Sequence, residues 1–292
     1  MKKIVVIGAT SIDYLASMHQ PMVMHDSNPG NIYKSWGGVA RNIAENLARL
    51  ELEPTLITVL GEDAQDFLNM ARDIKLKVLY QTVKQTPSYV AIHDDKGNLF
   101  TAVSSMDQLK KLTPQVIRRY QDHIEKADIV VLDANLTEDT IEYIFKTFNK
   151  AFYVDLVSSA KAAKFIPYLQ KIHTIKINTN EGKMITVFDD PIQIGQILLN
   201  KGIHNIFLTL GKNGVYQFTP EFINFYQKSF DGVIINDTGA GDGFFAGTIF
   251  AEINNLEPLK TGTILSHFTL QSIDAVYKKL KVNQLVSMVK EK

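Results

Sequence analysis

Short β-branched runs alternate with helical patterns along most of this chain, and that alternation admits few folds. Residues 4–8, 55–60, 129–133, 152–157, 174–178 and 206–210 are nearly all apolar, as strands buried on both faces are. Between them, residues 39–50, 64–74, 114–126, 138–149, 192–201 and 241–253 read as helices. Strands that alternate with helices build a largely parallel sheet covered on both faces, an α/β fold. Two stretches break the rhythm. Residues 12–36 carry little helical signal, and residues 85–106 read as a hairpin turning at Asp94-Asp95-Lys96-Gly97-Asn98. Both are expected as extra antiparallel strands that project from the sheet as a small β lid over a cleft. The lid's apolar face needs a cover, which pairing with a second lid in a homodimer would supply. Residues 282–292 read as a closing amphipathic helix. No long linker or repeat divides residues 1–292, so one domain is expected.

Composition narrows the function classes. Lys+Arg and Asp+Glu both number 31 in 292 residues, a formal net charge of zero that argues against a broad nucleic-acid footprint. The absence of cysteine excludes disulfides, thiolate catalysis and zinc–sulfur sites. The apolar run at residues 4–8 is too short for a signal peptide, and no stretch approaches the ~18 apolar residues of a membrane span. A cytoplasmic protein that does not act at a membrane is the expectation.

The chemistry concentrates in a few motifs. Asn236-Asp237-Thr238-Gly239-Ala240-Gly241-Asp242 leads directly into an apolar helix. The glycines allow a tight turn, and the unpaired amides of the first helical turn point back at it, which suits a phosphate. Asp242 sits where a phosphoryl acceptor could hand it a proton; its plainer reading is a favourable charge at a helix start. Trp36-Gly37-Gly38-Val39-Ala40-Arg41-Asn42 opens an earlier helix. There, bare backbone at Gly37 and Gly38 would let a polyol approach, while Asn42 and Asp13 offer hydrogen bonds to vicinal hydroxyls. A tight turn with a surface Asn and a turn Asp is the alternative. Asn178 and Glu181, three apart at a strand end, could face phosphates and hydrated magnesium; in the plainer reading Asn180 and Glu181 merely start a helix. Thr209-Leu210-Gly211-Lys212-Asn213-Gly214 could cradle a nucleotide or be an ordinary turn. The seven histidines show no metal-ligand spacing, and His267 could flank an adenine.

The early Gly-Gly-x-x-x-Asn and the late Asp-Thr-Gly-Ala-Gly-Asp resemble, in order and separation, the two signatures of the ribokinase-like (PfkB) sugar and nucleoside kinases. The resemblance covers essentially the whole chain. It implies a three-layer α/β/α sandwich with a β lid, ATP and Mg2+ as cofactors, and a small sugar or nucleoside acceptor. It further implies Asp242 as general base and Gly239, Ala240 and Gly241 as the anion hole. Asp13, Gly38, Asn42 and Asn135 would hold the sugar. Asn178 and Glu181 would serve the phosphates and, through water, magnesium; Thr209 and Gly211 would bind nucleotide. The stretches Asp26-Ser27-Asn28-Pro29-Gly30, residues 37–48 and Asp133-Ala134-Asn135 are similar to the pseudouridine kinases, which favours a nucleoside acceptor with Asp26, Ser27, Asn28 or Ser88 near the base. Ribose, another nucleoside or a ketose are the alternative acceptors, and a sensor on the same fold is the non-enzymatic one. A neutral Asn236 stands where many relatives carry an Asp that helps bind potassium, so monovalent-cation activation is not implied. A dinucleotide oxidoreductase is disfavoured, because Gly-x-Gly-x-x-Gly does not follow the first strand.

Overall fold

A computed structural model describes residues 2–291. In chain order its strands are β1 (Ile4–Ile7), β2 (Ser11–Met18), β3 (Gly30–Gly37), β4 (Thr55–Leu60), β5 (Lys77–Thr82), β6 (Ser88–His93) and β7 (Leu99–Ser105). They continue as β8 (Ile129–Asp133), β9 (Ala151–Asp155), β10 (Ile172–Asn178), β11 (Asn205–Thr209), β12 (Val215–Phe218) and β13 (Ile223–Tyr226). Nine of them form one sheet in the order β13-β12-β11-β10-β9-β8-β1-β4-β5. Every pairing from β11 to β5 is parallel, and only β12 and β13 are antiparallel.

Alternation along each strand explains the near-continuous apolar runs. Val130, Leu132, Val154, Ile175 and Leu208 pack into one helical layer with Ile117, Ile141, Phe145 and Leu198. Val131, Tyr153 and Phe207 pack into the opposite layer with Ile43, Leu47, Phe245 and Leu265. Both faces are buried, as in a sheet wound on both sides. Three charged residues interrupt the apolar pattern. Asp133, Asp155 and Lys176 align in one cross-strand row at the carboxyl ends of β8, β9 and β10. Their parity places them on the face covered by the helices Val39–Arg49 and Ala240–Asn254. Carboxyl ends of parallel strands are where open α/β sheets bind ligands.

The expected β lid is present as a four-stranded sheet, β3-β2-β6-β7. It is not wholly antiparallel: β2 and β6, the inner strands of its two hairpins, pair in parallel. The Asp94 carboxylate closes the β6–β7 turn by accepting the N–H groups of Lys96 and Asn98. Register separates its two faces. Asp13, Tyr33, Ser35 and Tyr89 share one, while Tyr14, Ile32, Val90, Ile92 and Val103 share the other, on which Ile32 and Val103 are exposed.

Some boundaries differ from expectation. The segment 114–126 divides at Tyr120 into helices Pro114–Arg119 and Gln121–Glu125. Tyr120 leaves helical geometry there, and its hydroxyl donates to the Tyr80 carbonyl. Strands β5, β12 and β13 have no counterpart in the sequence reading. β5 and β13 are the edge strands and expose part of their surface, which weakens the apolar signal, while β12, flanked on both sides and mostly buried, is only four residues long. The closing helix spans Val282–Lys290. Among the described residues, no helix is long and apolar enough to cross a membrane.

Candidate active site

One end of the candidate site is assembled by one buried carboxylate. Asp133, fully buried at the end of β8, accepts the N–H groups of Ala9 at 2.9 Å, Ala40 at 3.0 Å and Asn135 at 2.8 Å. It thereby ties the exit of β1, the start of the Val39–Arg49 helix and the loop after β8 to one point. Burial pushes its carboxyl above the usual range, and the three N–H groups pull the other way. Asp13 reaches the same region from the lid, where its Oδ1 accepts the Ser11 hydroxyl at 2.8 Å. A Cβ at position 37 would overlap the Asp13 carboxylate, so Gly37 is what lets that carboxylate lie against the backbone. Gly38 caps the helix at φ 93°, in the region open to glycine. Asn135 keeps its amide in place by accepting Lys161 Nζ at 2.6 Å through Oδ1.

Asn42 is not the surface residue of the plainer reading; it is buried, 3% exposed. Its Nδ2 donates to Asp242 Oδ2 at 2.7 Å, which joins the two signature motifs across 200 residues of sequence. Its Oδ1 is buried without a protein partner. A buried acceptor left unmade costs about 1–3 kcal/mol, a cost expected to be retained for function.

Gly239 caps the Ala240–Asn254 helix at φ 82°, and a side chain there would strike the Ala275 carbonyl. Asp242 occupies the third helical position, 7% exposed. Burial, and then the charge of Asp155, push its carboxyl up to about 7, against the opposing effects of Lys176, the Asn42 amide and Arg41. The expected anion hole is narrower than the motif implies. The Ala240 N–H is engaged by the Asp237 carbonyl at 3.2 Å, which leaves the N–H groups of Gly239, Gly241 and Asp242 without protein acceptors among the described residues.

A cavity of about 690 Å³ adjoins this turn. Thr209, Gly211, Gly214, Gly241 and His267 all line it, together with Phe230 and Phe244. His267 packs on Phe230 with ring centroids 5.1 Å apart, and burial and Lys228 hold its pKa below the ordinary histidine value. Asn178, Thr209 and Gly211 border a neighbouring recess. Asn178 and Glu181 form a reciprocal cap on the Thr179–Thr186 helix: Asn178 Oδ1 accepts the Glu181 N–H, and Glu181 Oε2 accepts the Asn178 N–H, both at 2.9 Å. The helix start is thus built by Asn178 with Glu181, rather than by Asn180 with Glu181. Among the described residues, no group of three or more His, Asp or Glu could cage a metal. An oxygen donor set of one carboxylate and one amide fits magnesium that retains its waters.

Three expected residues lie apart from this cluster or are used otherwise. Asp26 and Asn28 sit in the loop between β2 and β3, with no hydrogen bond to Asp13, Asn42 or Asp242. Asn28 is consumed locally, binding the N–H and carbonyl of Val23 and the Asp26 carbonyl. Asn236 uses both ends of its amide inside the protein: Oδ1 accepts the Thr238 N–H and Nδ2 donates to the Ile273 carbonyl, each at 3.0 Å. Sequence reasoning gave no role to Asp133, Asp155, Lys161, Lys176 or Phe230. A charged residue inside an apolar strand, Ile175-Lys176-Ile177, was a usable signal.

The Asp242 carboxyl sets a pH expectation. Acting as the general base that the resemblance implies, it must be ionised, so kcat/KM would rise with pH through about 7 and fall about tenfold per unit below it. A profile of kcat/KM from pH 5 to 9 checks this; a flat acidic limb would contradict it.

Comparison with known proteins fits this geometry. The pfkB family carbohydrate kinase profile matches residues 1–261. A pseudouridine kinase of Escherichia coli is 29% identical over 255 residues, covering 84% of this chain and 82% of its own. A solved carbohydrate kinase from Agrobacterium tumefaciens superposes with a TM-score of 0.86 at 29% identity, covering 99% of this chain and 97% of the other. A ribokinase from Thermotoga maritima shares the fold, with a TM-score of 0.84 at 18% identity over the full length of both chains. The chain belongs to the pfkB family of carbohydrate kinases, with a ribokinase-like α/β fold.

Proposed function

We propose that this kinase transfers the γ-phosphoryl group of ATP to the 5′-hydroxyl of pseudouridine. The observation that carries the reading is the 2.7 Å hydrogen bond from Asn42 to Asp242. It brings a backbone-lined polyol site and an amide-lined anion site to one carboxylate. Asp13, Asn42 and Asn135 hold the sugar, and the cavity from Thr209 to His267 takes the nucleotide. The γ-phosphoryl group then lies at the N–H groups of Gly239, Gly241 and Asp242. Magnesium, when bound, neutralises charge on the phosphates, and Asn178 and Glu181 face it through water. Asp242 takes the acceptor's proton as the new phosphorus–oxygen bond forms. Phosphoryl transfer depends on such positioning and charge neutralisation rather than on covalent help. The lid face bearing Asp13 and Tyr89 excludes water that would compete as acceptor.

The pseudouridine assignment draws on the Escherichia coli relative and on chemistry. Its carbon–carbon glycosidic bond leaves an N1–H donor that uridine lacks, and a site that accepts from this donor rejects uridine strongly. An acceptor panel of pseudouridine, uridine, inosine, ribose and fructose, read by ATP consumption, tests the assignment. Pseudouridine is expected to lead uridine in kcat/KM by roughly a hundredfold or more. Faster turnover of ribose or fructose would move the acceptor class, and no turnover of any would end the kinase reading. A poised Asp242 favours an enzyme over a sensor, since pure binding needs no base. We also propose that the outer lid face, with Ile32 and Val103 exposed, pairs with that of a second copy. Sedimentation should give a dimer that Ile32→Glu dissociates; a monomeric parent would refute the pairing.

A further inference from the structure

Lys176 is an anomaly in its strand. It stands between Ile175 and Ile177, is only 8% exposed, and its Nζ lies 2.8 Å from Asp155 Oδ2. A buried pair of this kind is weak as a stabilising device, because desolvation of both charges offsets most of the attraction. The fold nevertheless goes to some length to hold it. Asp155 is fixed from its other side by the Val157 N–H at 2.8 Å, and Val157 sits at φ 63°, a costly conformation for a β-branched residue.

The position of the ammonium suggests why. A Cβ built on Gly241 would lie 3.1 Å from Lys176 Nζ, so the ammonium forms the wall of the glycine turn, beside the unpartnered Gly241 N–H. An ammonium has three N–H donors, and Asp155 is the one protein acceptor for them among the described residues. The charge of Asp242 acts on this ammonium, second only to that of Asp155. Burial opposes the charge, but Asp155, Asp242 and Glu181 outweigh it and hold the lysine protonated, above its ordinary pKa.

We propose that Lys176 is a catalytic residue whose ammonium, oriented by Asp155, donates a hydrogen bond to a non-bridging oxygen of the transferring phosphoryl group. The bond between the γ-phosphorus and the β–γ bridging oxygen breaks, the bond to the acceptor oxygen forms, and the acceptor's proton goes to Asp242. Lys176 keeps all its protons throughout and acts only by charge and orientation. Its contact strengthens as charge gathers on the equatorial oxygens, so its removal costs turnover more than nucleotide binding.

The proposal rests on the phosphoryl-transfer reading of the site, and the test separates the two. Calorimetry with magnesium measures binding of ADP and of an ATP analogue with an imido bridge between the β- and γ-phosphorus, for the parent and for Lys176→Met. A second variant, Lys176→Met/Asp155→Asn, removes both charges, so that no buried carboxylate is left unpaired. In both variants the analogue is expected to weaken about tenfold or more while ADP changes less than about twofold, and kcat to fall about 10²–10³-fold. Equal weakening of both nucleotides in the double variant, or a kcat within a few-fold of the parent, would overturn the proposal alone. A parent that binds neither nucleotide would overturn the kinase reading and this proposal with it.

Discussion

Asp242→Asn is expected to give a folded protein that binds nucleoside and nucleotide but turns over roughly 10²–10⁴-fold more slowly, the range that positioned acid–base groups contribute. The amide keeps the shape of the side chain and can still accept from Asn42 Nδ2, so the geometry of the turn survives. What it loses is the ability to take a proton. Retention of more than about a tenth of parental kcat would remove Asp242 from the base role. Stability should move the opposite way. The folded-state pKa of about 7 lies above the ordinary carboxylate value of 3.8, so ionised Asp242 opposes folding as pH rises through that window. The variant, free of that charge, is expected to melt no lower than the parent at pH 8. A marked drop in Tm would instead mean that the carboxylate holds the turn together.

Asp133→Ala is expected to be the most destabilising substitution near the site. It strands the N–H groups of Ala9 and Ala40, which are buried, and of Asn135, which is half-buried. Each stranded donor costs about 1–3 kcal/mol, while relief of a buried charge offsets part of the total. A net loss of about 3 kcal/mol follows, a drop in Tm on the order of 5–10 °C. Acceptor KM should rise as well, because the helix start that carries Gly38 and Asn42 and the loop that carries Asn135 are no longer held to the exit of β1. Thermal denaturation together with acceptor kinetics checks both. A loss below about 1 kcal/mol would show that water replaces the carboxylate.

The strand–helix rhythm was legible because both faces of the large sheet are buried, and the strands at 55–60 and 129–133 match residue for residue. The lid hairpins were legible as interruptions of that rhythm. The parallel pairing of β2 with β6 was not, since it joins segments about 70 residues apart with no local signature. The two glycine motifs announced their chemistry, and the structure brings Asn42 and Asp242 into contact. Asp26 and Asn28 show the limit of motif reading, as Asn28 closes its own loop. Ala240 shows another: a turn that looks open in sequence has one of its amides already engaged by Asp237.

The sequence by itself determined the layered α/β architecture, the two glycine-opened helix starts, and the presence of a carboxylate at the second. Those features depend on local periodicity and on backbone freedom at glycine, both of which are properties of a short window of residues. Tertiary structure alone decided that Asp133 would gather three separate segments, that Asp155 would orient Lys176 against Gly241, and that burial would raise Asp242 into the neutral range. Each of these depends on groups distant in sequence meeting where water is excluded. Low dielectric and fixed distance exist only once the chain has closed around them.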